Sequence, residues 1–192
     1  RLSIAVDDQY YVSDLPYLLA IIKNAQFNYS YYLMALNRDS MKLYLVRNKE
    51  VEAIELPEGA PKDIVTALGD ELTGGNLSAS SRGGDVGSVH GVSTKDEEVE
   101  IDWVNYYQAV DNFLKELDNP EQLPIYLFAL PENQSQFKKI AKNPFYSDKA
   151  AISGSPAQVT INDIKKETQK IADQLAEVET QTNQKLINRK FI

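Results

Sequence analysis

The sequence predicts an α/β fold: a mixed sheet, built from an antiparallel meander plus a buried central strand, flanked by helices and ending in a long C-terminal helix. Three observations carry this. Residues 28–56 alternate and are rich in tyrosine and β-branched residues, with turn sequences between the runs. Residues 124–130 form one continuous apolar run, as in a strand buried on both faces. From Ile161 onward apolar residues recur at helical spacing.

The elements follow in order. Tyr29 to Leu36, Met41 to Val46 and Val51 to Leu56 read as three strands. Residues 37–40 and 47–49 are turn chemistry, and two short connections in a row make a meander. Met41, Leu43 and Leu45 share one face of the second strand; Lys42, Tyr44 and Val46 share the other. Asp63 to Leu68 reads as a short helix or turn. Ile101 to Leu117 has helical periodicity through Val104, Tyr107, Val110 and Leu114, and Asn119-Pro120 stops it. Pro131 ends the apolar strand, and Ser135 to Ala141 reads as a short helix. Ala150 to Ile152 reads as a short strand. Thr160 and Asp163 have capping-box spacing ahead of Ile161, Ile164, Thr168, Ile171, Leu175 and Val178, a helix stripe that reaches to about residue 188. Residues 1–26 fit this pattern poorly and read as the remnant of a preceding segment, with a short helix over Leu15 to Ile22. Residues 27–192 read as the α/β domain. The chain opens on Arg1 in mid-pattern, as a piece of something longer.

Composition narrows the function classes. There is no cysteine, hence no disulfide framework and no thiolate metal site. The net charge of −8 argues against non-specific binding to DNA or RNA. No run approaches the roughly 20 apolar residues of a membrane span.

Seven of the nine glycines fall between Gly69 and Gly91, together with the only histidine, His90. A stretch so rich in glycine and serine buries little apolar surface, so residues 69–100 read as a long flexible loop. Its chemistry is thin. A Ser-His-acid set would draw on Ser88, Ser93 and His90, but nothing fixes the imidazole as a triad requires. A metal would need His90 with Asp85 or Asp96, again on unconstrained backbone. Gly83-Gly84 precedes Asp85, not the Gly-Lys-Ser/Thr of a phosphate loop. The functional-loop residues are thus Gly83, Gly84, His90 and Gly91, with His90 and Asp85 the catalytic candidates. No metal or cofactor is expected.

The order of elements resembles the middle domain of the peptide release factor and Pelota superfamily. It is most similar to the bacterial archaeo-eukaryotic release factor group, in its family-three-type branch. The residues that carry the resemblance are Val12 to Leu19, Tyr32 to Leu36, Met41 to Tyr44, His90-Gly91, Tyr106 to Leu114, Pro124 to Leu130, Ile152 to Pro156 and Lys185 to Phe191. The resemblance implies a bacterial, cytoplasmic, translation-associated domain with the ribosome or tRNA as partner and neither DNA nor a membrane. It also implies neighbouring domains on both sides. In the family the loop bears Gly-Gly-Gln, whose glutamine helps water attack the peptidyl-tRNA ester. Here Asp85 follows Gly83-Gly84, and no glutamine occurs between Gln26 and Gln108. The resemblance therefore implies ribosome-associated binding without hydrolase activity. Two alternatives stay open: a tRNA or nucleic-acid hydrolase using the loop residues, and a non-ribosomal protein-interaction module.

Overall fold

A computed structural model describes residues 29–69, Leu72 and residues 93–190. The meander forms as expected, with β1 at Ser30–Leu36, β2 at Met41–Arg47 and β3 at Glu50–Ala53. Helix α1 spans Ile64–Leu68 and α2 spans Ser93–Lys115. Strand β4 follows at Ile125–Ala129, then α3 at Pro131–Ile140, β5 at Tyr146–Ser153 and α4 at Ile161–Lys190. The sheet order is β3-β2-β1-β4-β5. β1 pairs antiparallel with β2 and parallel with β4, and β5 continues the parallel side. The sheet is therefore mixed, and helical layers cover both faces of β2, β1 and β4.

Alternation sorts the strand residues onto two faces. Met34, Leu36, Met41, Leu43, Ile125, Leu127 and Ala129 pack with α2 and Phe137 of α3. Tyr31, Leu33, Ala35, Tyr44, Val46, Tyr126 and Phe128 pack with Ile164, Ile171 and Leu175 of α4. Every residue of β4 is buried, as its unbroken apolar run requires. Each large side chain so buried contributes roughly 1.5–3 kcal/mol. Helix α4 crosses its face from the β3 edge, where Lys165 meets Glu50 at 2.7 Å, to the β5 edge. There the Gln174 amide donates to the carbonyl of Ala151 and accepts from its N–H, both at 2.9 Å.

Several boundaries differ from the sequence reading. Helix α2 begins at Ser93, so residues 93–100 are helix rather than loop. Its buried stripe is Trp103, Tyr106, Tyr107, Val110 and Leu114, while Ile101 is 53 % exposed. Helix α3 starts four residues earlier than expected, because Pro131 occupies its first turn and needs no N–H partner there. β5 is longer than expected and carries a register shift against β4. The capping box at Thr160 and Asp163 forms: the Asp163 carboxylate accepts from the Thr160 N–H and hydroxyl, and the Thr160 oxygen accepts from the Asp163 N–H. Residues 1–28, including the expected helix at Leu15 to Ile22, lie outside the described residues.

One polar hub fixes α2 to the α3–β5 connection. Oδ1 of buried Asp111 accepts from the backbone N–H groups of Lys142 and Asn143 at 3.0 Å and from the Asn143 amide at 2.7 Å. Its other oxygen meets Lys115 at 3.0 Å. Asn143 passes the constraint on by accepting from the N–H groups of Phe145 and Tyr146. Burial raises the Asp111 carboxyl, but the donors from Asn143, Lys115 and Lys142 outweigh it and hold the group below its ordinary value.

Two outcomes follow from these features. Asp111→Ala removes a buried charged acceptor and strands its donors, so stability in urea unfolding should fall by about 2–4 kcal/mol. A depressed carboxyl stabilises above its unfolded pKa, and that contribution is lost as pH falls through the folded value. The gap between wild type and variant should therefore narrow as pH drops through the carboxylate range. Asn48 and Lys49 form the two-residue β2–β3 turn, both with positive φ, at 51° and 66°. Lys49→Gly relieves the left-handed strain and should raise stability by about 0.5–1 kcal/mol, read as a higher urea midpoint at unchanged slope.

Candidate functional site

In open α/β sheets, ligand sites gather beyond the carboxyl ends of the strands, where onward connections diverge. Here that point lies between β1 and β4. β1 runs on into the turn at 37–40 toward β2, and β4 runs on into α3. The turn is closed by an Asn37 N–H bond to the Ser40 carbonyl at 2.8 Å and by the Asn37 amide to the Ser40 hydroxyl at 3.3 Å. It presents Arg38 outward.

Arg38 organises the edge. Its guanidinium carbon lies 4.0 Å from the ring centroid of Trp103 on α2. Its nitrogens reach Glu100 of α2 at 3.5 Å and Glu132 of α3 at 4.0 Å. One side chain thus touches the middle of α2 and the first turn of α3. The ion pairs are about half exposed and contribute little individually; the stacked, bridging geometry gives the cluster its shape. Beneath it, aromatic rings run edge-to-face from Trp103 to Tyr107 at 5.7 Å, to Phe137 at 5.7 Å and to Tyr146 at 5.4 Å. Tyr107 donates to the Asn37 carbonyl at 3.1 Å and Tyr106 to the Pro61 carbonyl at 2.9 Å. Burial pushes both hydroxyls up, so they remain neutral donors.

Two buried polar atoms at this edge have no hydrogen-bond partner among the described residues: Nε1 of Trp103 and Oδ1 of Asn133. Each sits one helical turn above the Tyr107–Phe137 contact, on α2 and α3 respectively. Gln134 secures the strand ends. Its amide nitrogen donates to the carbonyls of Ala129 and Ile152 at 2.8 and 2.9 Å and lies 3.3 Å from the Ser153 hydroxyl. That nitrogen is committed to holding β4 and β5 to α3.

The glycine-rich segment attaches here. Ile64 of α1 donates to the Asp39 carbonyl at 2.8 Å, beside Arg38. Asp63 caps α1 by accepting from the Thr66 N–H and hydroxyl, which lowers its carboxyl. Leu68 and Leu72 then join the Trp103 cluster. The chain re-enters at the head of α2. Gly83, Gly84, Asp85, His90 and Gly91 all lie outside the described residues. Among the described residues, no group of three or more histidine, cysteine, aspartate or glutamate side chains is placed to hold a metal. No described helix is long and apolar enough to cross a membrane.

A sequence model described as bacterial archaeo-eukaryotic release factor family 6 matches residues 29–174, well over half of the chain. The chain belongs to this family. The match takes in all five strands, Arg38, Trp103, Glu132 and Gln134. The resemblance in sequence pointed to the family-three type; the branch that matches is family 6. No curated protein matches the chain.

The family 6 edge contains four residues that sequence reasoning missed: Arg38, Glu100, Trp103 and Glu132. Only the parallel pairing of β1 with β4 brings Arg38 beside Glu132, and no local pattern reveals that pairing. The shifted stripe of α2 is what turns Trp103 toward the sheet.

Trp103 is the sole tryptophan, so its emission reports on this edge alone. Arg38→Ala should uncover the indole, shift its emission to longer wavelength and cost about 1 kcal/mol. Arg38→Lys should fall between the two, keeping charge but losing the planar stack. Unchanged emission in the alanine variant would mean that Arg38 does not cover the ring.

Proposed function

We propose that this chain is a translation-associated binding domain, equivalent to the middle domain of the peptide release factors and Pelota, that docks on the bacterial ribosome in the cytoplasm and does not hydrolyse peptidyl-tRNA. The observation that carries the reading is the attachment of the glycine-rich segment. Within a release-factor family domain, it departs after α1, whose Leu68 packs in the Trp103 cluster, and returns at the start of α2. A release factor carries its catalytic loop between corresponding elements.

The second half of the proposal rests on the sequence of that segment. Glycines allow backbone to approach a reacting ester closely. Gly83-Gly84 keeps that feature, but the next residue is Asp85, and no glutamine lies between Gln26 and Gln108. A carboxylate there brings negative charge toward an RNA-rich centre and offers no amide to orient water. The nearby Gln134 is held by strand carbonyls.

Purified protein and ribosomes test both halves. Co-sedimentation at moderate salt should place the protein with the ribosomes; its absence from the pellet rejects the docking reading. Peptide release should stay at the level of the ribosome-only control. Release that is lost in a Gly83→Ala/Gly84→Ala variant would overturn the inactive reading, and hydrolysis of aminoacyl- or peptidyl-tRNA lost in His90→Ala would favour a hydrolase instead.

A further inference from the structure

On the α4 face of the sheet, away from the Arg38 edge, a slot of about 180 Å³ lies between α4 and the strands β1 and β2. Its floor is Tyr31 and Val46, cross-strand partners in β1 and β2, and Thr168 of α4 is its wall; all three are buried. Tyr31 is fixed by an edge-to-face contact with Tyr126 at 5.3 Å, and its hydroxyl donates to the Thr168 carbonyl at 3.5 Å. Half-buried Tyr29 and the exposed Lys49, Lys165 and Gln169 form the rim. The Tyr29 hydroxyl is buried and meets no hydrogen-bond partner among the described residues. Burial first, and the nearby Glu179 carboxylate second, push it up to about 12, so it stays protonated at neutral pH.

No carboxylate lines the slot among the described residues. Around its mouth the charges nearly cancel. Glu50 pairs with Lys165 at 2.7 Å and Glu167 with Lys170 at 2.5 Å, Asp173 accepts from the Gln169 amide nitrogen at 2.8 Å, and Glu179 acts on Tyr29. Lys49 is the lining charge with no acidic partner among the described residues. It also holds a φ of 66° in the β2–β3 turn, where glycine would be unstrained. The simplest account is a packing gap under α4 closed by solvent. Solvent would satisfy the Tyr29 hydroxyl, but it gives no reason for a strained lysine at the mouth.

We propose that this slot binds a pyrimidine nucleotide, with the base inward and the phosphate at Lys49. A cavity of roughly 150 Å³ takes up one benzene-sized ring, so the slot has room for a single ring rather than two fused ones. Its floor is aromatic and aliphatic, as the face of a ring requires. Beside that ring stand the Tyr29 hydroxyl, which donates and accepts, and the Gln169 carbonyl oxygen, which accepts while its amide nitrogen is committed to Asp173. A plain phenyl ring would leave both unpaired, whereas a pyrimidine edge carries donors and acceptors. The near-neutral mouth holds little attraction for a polyanion, so the ring supplies most of the affinity and Lys49 makes one ionic contact with phosphate. The slot lies across the sheet from Trp103, and its occupancy is independent of the ribosome reading.

The test is isothermal titration of the full chain with uridine and cytidine monophosphate. At least one should bind, with its nucleoside about threefold to fivefold weaker and adenosine monophosphate about tenfold weaker. Tyr29→Phe removes a hydroxyl that has no partner in the free protein, so it should weaken binding about threefold or more without lowering the urea midpoint. Lys49→Gly should weaken binding about threefold to fivefold while raising the urea midpoint, a pairing that damage to the fold cannot produce. No binding of either pyrimidine nucleotide would overturn the proposal, as would binding unchanged in both variants. Equal affinity for adenosine monophosphate, ribose phosphate or benzoate would overturn it too, because size, base or polar edge would then not be read. A uridine tetranucleotide separates the two sources of the ligand. Tighter binding than the monophosphate identifies a nucleotide within a strand, and equal or weaker binding identifies the free nucleotide.

Discussion

The parallel pairing of β1 with β4 is the constraint on which the other parts depend. It joins a meander, which could not bury both faces alone, to a β4-α3-β5 unit that needs a neighbour. Helices must then cover both faces of the middle strands, and the two aromatic-rich clusters are the outcome. The pairing also decides where chemistry can gather. With β1 and β4 pointing the same way, the turn after one and the helix after the other emerge side by side, and Arg38 reaches Trp103 and Glu132.

Much of the fold was legible in the sequence because burial leaves a periodic trace. The alternation of Met41 to Val46 assigned both faces of β2 correctly. The unbroken run of β4 marked a strand covered on both sides. Of the stripe from Ile161 to Val178, Ile164, Thr168, Ile171 and Leu175 are buried, while Val178 is half-buried and Ile161, at the helix start, is exposed. Failures came where two signals overlap. Helix α2 has apolar residues on more than one line, and the stripe starting at Ile101 competes with the one through Trp103 and Tyr106. The aromatic line prevails because its larger side chains fill the space under the sheet. The edge cluster was not legible at all, since Arg38, Glu100, Trp103 and Glu132 are distant in sequence and ordinary in type. The loop candidates were chosen from glycine density and a lone histidine, which are signals of backbone freedom and carry no information about neighbours.

The molecule is polarised along its strands. One end gathers the Arg38 bridge between α2 and α3 and the buried polar atoms of Trp103 and Asn133. The other gathers lysines around the Asp111 hub. The aromatic ladder and the hub link α2, α3 and β5 between these ends, so both surfaces belong to one packed unit.

The Gln174 contact bears on how the sheet ends. A terminal strand ordinarily offers free amides and carbonyls as a template on which further chains can stack, the route to cross-β growth. At Ala151 the side-chain amide occupies both groups, standing in for one residue of a missing neighbour. The opposite border, β3, is only four residues long and carries Glu50 and Glu52. One border is interrupted at Ala151 and the other is short and charged, so neither offers an unbroken template to a further strand.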